Sequence, residues 1–212
     1  MDITWLGHSC FRIKGKEVTI ITDPCHPSLG YSLGKLQANI VTVSHFHPGH
    51  SYTEAINSEF KTIKGPGEYE LKGVFITGIA TWHDAVQGQK LGKNTVYLLE
   101  IDGLALCHLG DLGHLPSAEI IEDVGDIDVL FVPVGGVSTI GGATAAEIVR
   151  RLTPKFVIPM HYKTPAFTAD LEPVDKFLKE VGIKEKVSQP KLSVNRASLP
   201  ASTQVIILDY TR

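Results

Sequence analysis

Eight short apolar or alternating runs fill the first two thirds of the chain, each bounded by Gly, Pro, Asn or Asp: DITWL, CFRIK, EVTIITD, NIVTVS, VFITGIA, NTVYLLEID, LALCHLG and DVLFVPV. Runs of this length, rich in Val, Ile, Thr and aromatics, read as strands. A tight KGK turn ahead of residues 17–21 predicts an N-terminal meander. Helical patterning is sparser. SAEIIEDV starts with Ser117 as a candidate N-cap, ATAAEIVRRL ends in arginines before Pro154, and LEPVDKFLKEVG ends in a lysine and Gly182. KFVIPMHY is then a strand ending at a histidine, and TQVIILDY a last strand. The order predicts an α/β (α+β) fold with helices packed outside sheets. Residues 188–203 read as a surface loop before the final strand.

With 212 residues, 43% of them hydrophobic, the chain can bury one substantial core, and a single domain over residues 1–212 is expected. A formal net charge of −3 offers no general attraction to nucleic acid or to an anionic membrane surface. A small-molecule substrate is the expected partner, with a homo-oligomer left open. Three widely spaced cysteines without a CxxC pair indicate neither a disulfide framework nor a zinc ribbon. The N-terminus has no charged segment leading into an apolar one, and no apolar run approaches the ~20 residues of a membrane span. The expectation is a cytoplasmic protein.

Histidines gather where these strands end. In SHFHPGH, His45 and His47 are two apart after an apolar run, and alternate side chains of an extended segment share a face. His50 can swing back to the same cavity if HSYTEAI begins a helix. Further along come His83 in TWHDA, His108, Asp111 and His114 in CHLGDLGH, and His161 in IPMHYKT. Imidazole and carboxylate suit zinc, iron and manganese-type centres, and a catalytic site wants about three protein ligands with a position left for water.

In their order, HFHPGH, His83, GDLGH and PMHY resemble the metallo-β-lactamase fold superfamily, which carries an HxHxDH motif, then a His, an Asp in a GD pair and a final His. WLGHSCF, TDP, GPGEYE, NTVYLLEIDG and VPVGG extend the likeness from Ile3 to Lys163 and look like the small branch that contains the L-ascorbate 6-phosphate lactonase-like proteins. The resemblance implies a four-layer αββα sandwich with metals held at one edge. It implies that His45, His47 and His83 hold a first metal and His50 and His161 a second, with Asp111 between them. Zinc is the expected ion, with Mn2+ or Fe2+ as alternatives, and one or two ions per chain. The aspartate of HxHxDH falls on Gly49, a departure that weakens the second position. Gly141 and Gly142 stand where relatives often place an acidic residue.

The chemistry implied is metal-dependent hydrolysis of a small ester, lactone or phosphoester by a metal-activated water, with His8 or His114 protonating the leaving group. The alternative is a relative that binds metal without efficient turnover, which Gly49 favours. His8, in GHSC, is read as facing the cleft, as a replacement ligand or a substrate contact, or as a buried structural histidine. Asp23, in TDP, either hydrogen-bonds a metal-ligating imidazole or shapes the turn before Pro24. Asp84 either lends its carboxylate to the metals or caps a turn. His114 can equally be a loop histidine, His108 belongs to the core or supports the ligands, and His26 is a surface residue. KLGKN is a solvated loop or a greeting for an anionic substrate. VPVGG lacks the GxxxxGK[ST] arrangement and is not a phosphate loop.

Overall fold

The structure, a computed structural model, describes residues 1–167 and 170–211. The alternating runs become β1 (Asp2–Gly7), β2 (Cys10–Lys14), β3 (Thr19–Thr22), β4 (Ile40–Val43), β5 (Lys61–Lys64), β6 (Gly67–Leu71), β7 (Val74–Trp82), β8 (Lys93–Ile101) and β9 (Leu104–His108). There follow α1 (Ala118–Val124), β10 (Val129–Pro133), α2 (Gly142–Leu152), β11 (Phe156–Met160), α3 (Val174–Glu180), β12 (Ser188–Gln189), β13 (Leu192–Ser193), β14 (Gln204–Val205) and β15 (Ile207–Leu208). One sheet has the order β13-β1-β2-β3-β4-β5 and the other β14-β11-β10-β9-β8-β7-β6.

The period of two decides what each sheet buries. Ile3, Trp5, Phe11, Ile13, Ile20 and Ile40 join the core shared with the second sheet, while Leu6, Cys10, Ile21, Val41 and Val43, on alternate positions, fill a smaller outer cluster. The sheets meet face to face: the Phe11 and Phe131 rings are 4.5 Å apart, and the buried Tyr97 hydroxyl crosses to donate to the Val43 carbonyl at 3.0 Å. Tyr31, Leu33, Leu36 and Ile56, from irregular segments with the single-turn 3-10 helices Pro27–Leu29 and Thr53–Ala55, close the outer cluster. The expected helix after His50 is therefore only that second turn. Its N-cap Tyr52 makes no side-chain cap bond, and Ile56 is already extended, so nothing propagates it.

α1 and α2 connect strands of the second sheet, β9 to β10 and β10 to β11, and α3 leads out of it to β12. α2 turns Ala145, Ala146, Ile148, Val149 and Leu152 inward, and each large aliphatic side chain so buried contributes roughly 1.5–3 kcal/mol. Glu147 on its outer face pairs with Arg150 and Arg151 at 2.9 Å, a solvent-exposed arrangement of little weight. Ser117 caps α1 as expected, accepting from the Ile120 N–H.

Two expectations for the C-terminal region change. Residues 188–203 are not a plain loop, because β12 and β13 lie within them and β13 extends the first sheet beside β1. The last apolar run divides, β14 pairing with β11 and β15 with β12. All three cysteines are buried free thiols. Among the described residues no helix is long and apolar enough to cross a membrane.

Candidate metal centre

The strands β3, β4 and β5 run parallel, as do β9, β10 and β11, so their C-terminal ends open on a common rim, the usual place for ligands in such sheets. The residues just past these ends converge there. His45, His47 and His50 follow β4, His83 follows β7, Asp111 follows β9 and His161 follows β11; His8 arrives from the end of β1 and Asp23 from the end of β3.

At the centre lies Asp111 Oδ2. Four imidazole nitrogens surround that single oxygen: His50 Nε2 at 3.0 Å, His161 Nε2 at 3.2 Å, His83 Nε2 at 3.4 Å and His45 Nε2 at 3.8 Å. His47 Nδ1 lies 3.0 Å from His45 Nε2. Three overlapping groups could each hold an ion, with ligand atoms within 4.8 Å of one another: His45, His47 and His83; His45, His50 and Asp111; and His8, His50 and His161. Apart from the exposed His47, all of these side chains are buried.

The burial makes the electrostatics stark. Desolvation would raise the Asp111 carboxyl, but His161 and His50 hold it well below the usual carboxylate range. Burial would lower His50, yet Asp111 and then Asp23 outweigh it and push its pKa up to about 10. His45 is pulled down to about 3, mainly by burial and then by His50, and burial also drives His8 well below the ordinary value, with His161 adding to the effect. These groups fit a metal. The nitrogens and oxygen form the donor set that borderline divalent ions favour, and among the described residues Asp111 Oδ1 is buried without a hydrogen-bond partner, as are Nδ1 of His8, His83 and His161. Unsatisfied buried polar atoms crowded this closely are costly in the absence of a cation.

A polar chain behind these histidines sets their tautomers. Asp23 Oδ2 lies 2.9 Å from His50 Nδ1, which leaves His50 Nε2 facing Asp111. The Ser44 hydroxyl donates to Asp23 Oδ2 at 2.6 Å, and the Ser44 N–H donates to Asp23 Oδ1 at 2.8 Å. With its proton committed, Ser44 Oγ accepts from His45 Nδ1 at 2.9 Å, and the lone pair of His45 Nε2 points to the centre. Asp23 thus has the supporting role, though it also sits at the turn with a left-handed φ of 39°. His8 and His161 share that conformation, at 54° and 52°. Such backbone strain costs on the order of 1–3 kcal/mol per residue and collects at functional sites.

Two supporting residues escaped sequence reasoning. Ser44 is one. The other is Asn94, whose side-chain oxygen accepts from the Asp111 N–H at 3.0 Å while its amide donates to Thr81 Oγ1 and the Leu109 carbonyl. The available signal was an Asn opening the run NTVYLLEID, at the start of β8. VPVGG also finds its purpose: a Cβ on Gly135 would lie 2.0 Å from the His161 carbonyl oxygen, so glycine there lets the His161 turn close in.

Other candidates stand apart. Asp84 caps its own loop, accepting from the N–H groups of Val86, Gly88, Lys90 and Leu91. Burial works to raise its pKa, but those donors bring it to about 2. His114, expected to protonate a leaving group, has both ring nitrogens engaged, Nδ1 with the Leu115 carbonyl at 3.0 Å and Nε2 with the Trp82 N–H at 3.3 Å. His108 is fully buried between the Ser9 carbonyl and the Gly110 N–H, and His26 caps a surface turn. Gly141 caps α2 without any side chain to offer, and Gly142 packs against Phe177.

Beside His45 and His47 opens a cleft of about 500 Å³, walled by Phe46, Trp82, Leu91 and Lys93 among others. Phe46 is 71% exposed, with Lys64 Nζ 5.3 Å from its ring.

The pattern of the beta-lactamase superfamily domain matches residues 2–161. The structure superposes with a TM-score of 0.82 on a Thermotoga maritima protein described as a candidate zinc-dependent hydrolase of the metallo-β-lactamase superfamily, 40% identical over 99% of both chains. The chain belongs to the metallo-β-lactamase superfamily. Further relatives of this superfamily member are UPF0173 metal-dependent hydrolases. That of Thermococcus onnurineus is 30% identical over 88% of this chain and 95% of its own length. The Methanoculleus marisnigri protein is 32% identical over 81% and 86%. The matched residues 2–161 coincide closely with the stretch over which the motifs carried the likeness. The two-sheet mixed architecture is likewise the one expected of a metallo-β-lactamase fold.

Proposed function

We propose that this protein is a metal-dependent hydrolase of a small ester, lactone or phosphoester, with His45, His47, His83 and Asp111 holding one ion and His50, His161 and Asp111 contributing to a second position. The observation that carries the reading is the convergence of four histidine Nε2 atoms on one buried carboxylate oxygen, 3.0–3.8 Å away. Relatives named metal-dependent hydrolases support it. Zinc suits the nitrogen-rich set, and the chemistry it would supply there is a lowering of the pKa of bound water from about 16 toward 7.

The chain's own residues do the remaining work. Asp23 and Ser44 keep Nε2 of His50 and His45 free to face the centre, so the ligand geometry exists before substrate arrives. Asn94 fixes the backbone of Asp111. The cleft beside His45 and His47 can take a small apolar body against Phe46, Trp82 and Leu91, and Lys93 at its wall can pair with an anionic group. That shape and the mild negative charge of the chain favour a small molecule over a nucleic acid.

The test is elemental analysis of protein prepared without added metal, joined to assays on lactones, carboxylic esters and phosphodiesters. Bound metal and hydrolysis, both lost in a His45→Ala/His47→Ala variant, are expected. Less than one ion per chain, with hydrolysis no faster than that of the variant, would overturn the reading. Bound metal without turnover of any of these substrates would select the non-catalytic relative instead.

A further inference from the structure

The residue that departs from HxHxDH has a neighbour where its side chain would be. A Cβ built on Gly49 would lie 2.8 Å from His8 Nε2 and 3.0 Å from His8 Cδ2. The space in which an aspartate side chain would begin is therefore filled by an imidazole. The ring of His8 sits 4.1 Å from that of His161 and 5.0 Å from that of His50, and the three can offer ligand atoms within 4.8 Å of one another.

The position of His8 is built. Its carbonyl accepts from Trp5 Nε1 at 3.0 Å and from the His161 N–H at 3.1 Å, tying the end of β1 to the end of β11. Both tied residues hold left-handed backbone. The Phe167 ring stands edge-on to the imidazole at 5.3 Å, and only 5% of His8 is exposed. Among the described residues its Nδ1 nonetheless has no hydrogen-bond partner. A purely structural histidine would find partners for its buried nitrogens, as His108 does on both sides.

We propose that His8 supplies the ligand that Gly49 cannot, so that the second ion is held by His8, His50 and His161 together with the shared Asp111. The proposal rests on the reading of this cluster as a metal centre. Replacing a carboxylate with an imidazole leaves Asp111 as the one anionic ligand among these residues, and the second position becomes richer in nitrogen. Such a set favours Zn2+ over Mn2+ more strongly than a carboxylate-containing one does. Gly49 and His8 form an exchanged pair: glycine makes room for the ring, and the ring replaces the missing carboxylate.

The experiment measures Zn2+ stoichiometry and stepwise affinity by chelator competition, without reference to turnover, in the wild type, His8→Ala, Gly49→Asp and His8→Ala/Gly49→Asp. Two ions are expected in the wild type. His8→Ala should keep the first and weaken the second by more than about a hundredfold, beyond the 10–100-fold that loss of an outer partner produces. Gly49→Asp alone should gain nothing, because its Cβ meets His8, whereas the double variant should recover the second ion. That recovery also shows that the variants fold, and His8→Asn, whose side chain tolerates left-handed backbone, is a further control by thermal melting. Two ions bound by His8→Ala with wild-type affinities would overturn this proposal and leave the metal centre standing, as would a wild type that binds only one. A wild type that binds none would overturn both.

Discussion

The two halves of the cluster share Asp111 and little else. His45, His47 and His83 form an open half, with His47 exposed and an apolar cleft alongside. His8, His50 and His161 form a closed half, every ring buried and two of the three residues held in strained backbone. The open half uses one local spacing and one distant residue. The closed half draws on three separated strand ends and the support of Asp23. On the proposed function, the open half is the one to meet substrate and the closed half the one to hold an ion in a rigid frame.

Asp111→Ala should erase the distinction altogether, since both halves lean on one oxygen. We expect loss of both ions and a fall in hydrolysis on the order of a thousandfold, the scale of removing several kcal/mol of metal catalysis, read by elemental analysis and initial rates. Retention of either ion would show that a half can stand alone. Stripping the metal with a chelator should lower the melting temperature by about 10 °C, as expected for loss of a ligand present at ~1,000 times its Kd in a chain of this size. An unchanged melting curve would mean that neither half binds tightly.

Asp23→Asn sharpens the contrast. Its carboxylate contacts His50 directly and His45 only through Ser44, so the second ion should weaken by about 10–100-fold and the first by much less. Equal weakening would show the halves coupled through Ser44. Phe46→Ala acts on the open side alone: KM should rise by roughly 5–30-fold, the value of one apolar contact of about 1–2 kcal/mol, with metal affinity unchanged. The smallest effect belongs to His114→Ala. With both ring nitrogens bound to backbone, its loss should reduce kcat less than tenfold; a drop in the 10²–10⁴-fold range of general acid–base catalysis would restore it as the proton donor.

The open half was largely legible in advance. H-x-H at a strand end shares a face by the pleat alone, and the later histidines and aspartate stood in the order the superfamily uses. The strands were legible for the same reason: apolar alternation is a local signal with a fixed period. The short helix after His50 was overestimated, because its composition permits a helix that its cap does not sustain. Ser44 and Asn94 carried no motif of their own, and a hydrogen-bond relay has no sequence period to betray it.

The amino-acid sequence by itself determined the strand pattern, the family and most of the residue types that gather at the cluster, since these follow from local periodicity and from residues spaced along one chain. What it left open was the meaning of Gly49 and the choice among three roles for His8. These residues are 41 positions apart, and nothing local relates them. Only the tertiary structure, by tying the end of β1 to the turn after β11, brings the His8 ring into the volume that Gly49 leaves empty, because contact across sheets is decided by packing rather than by spacing.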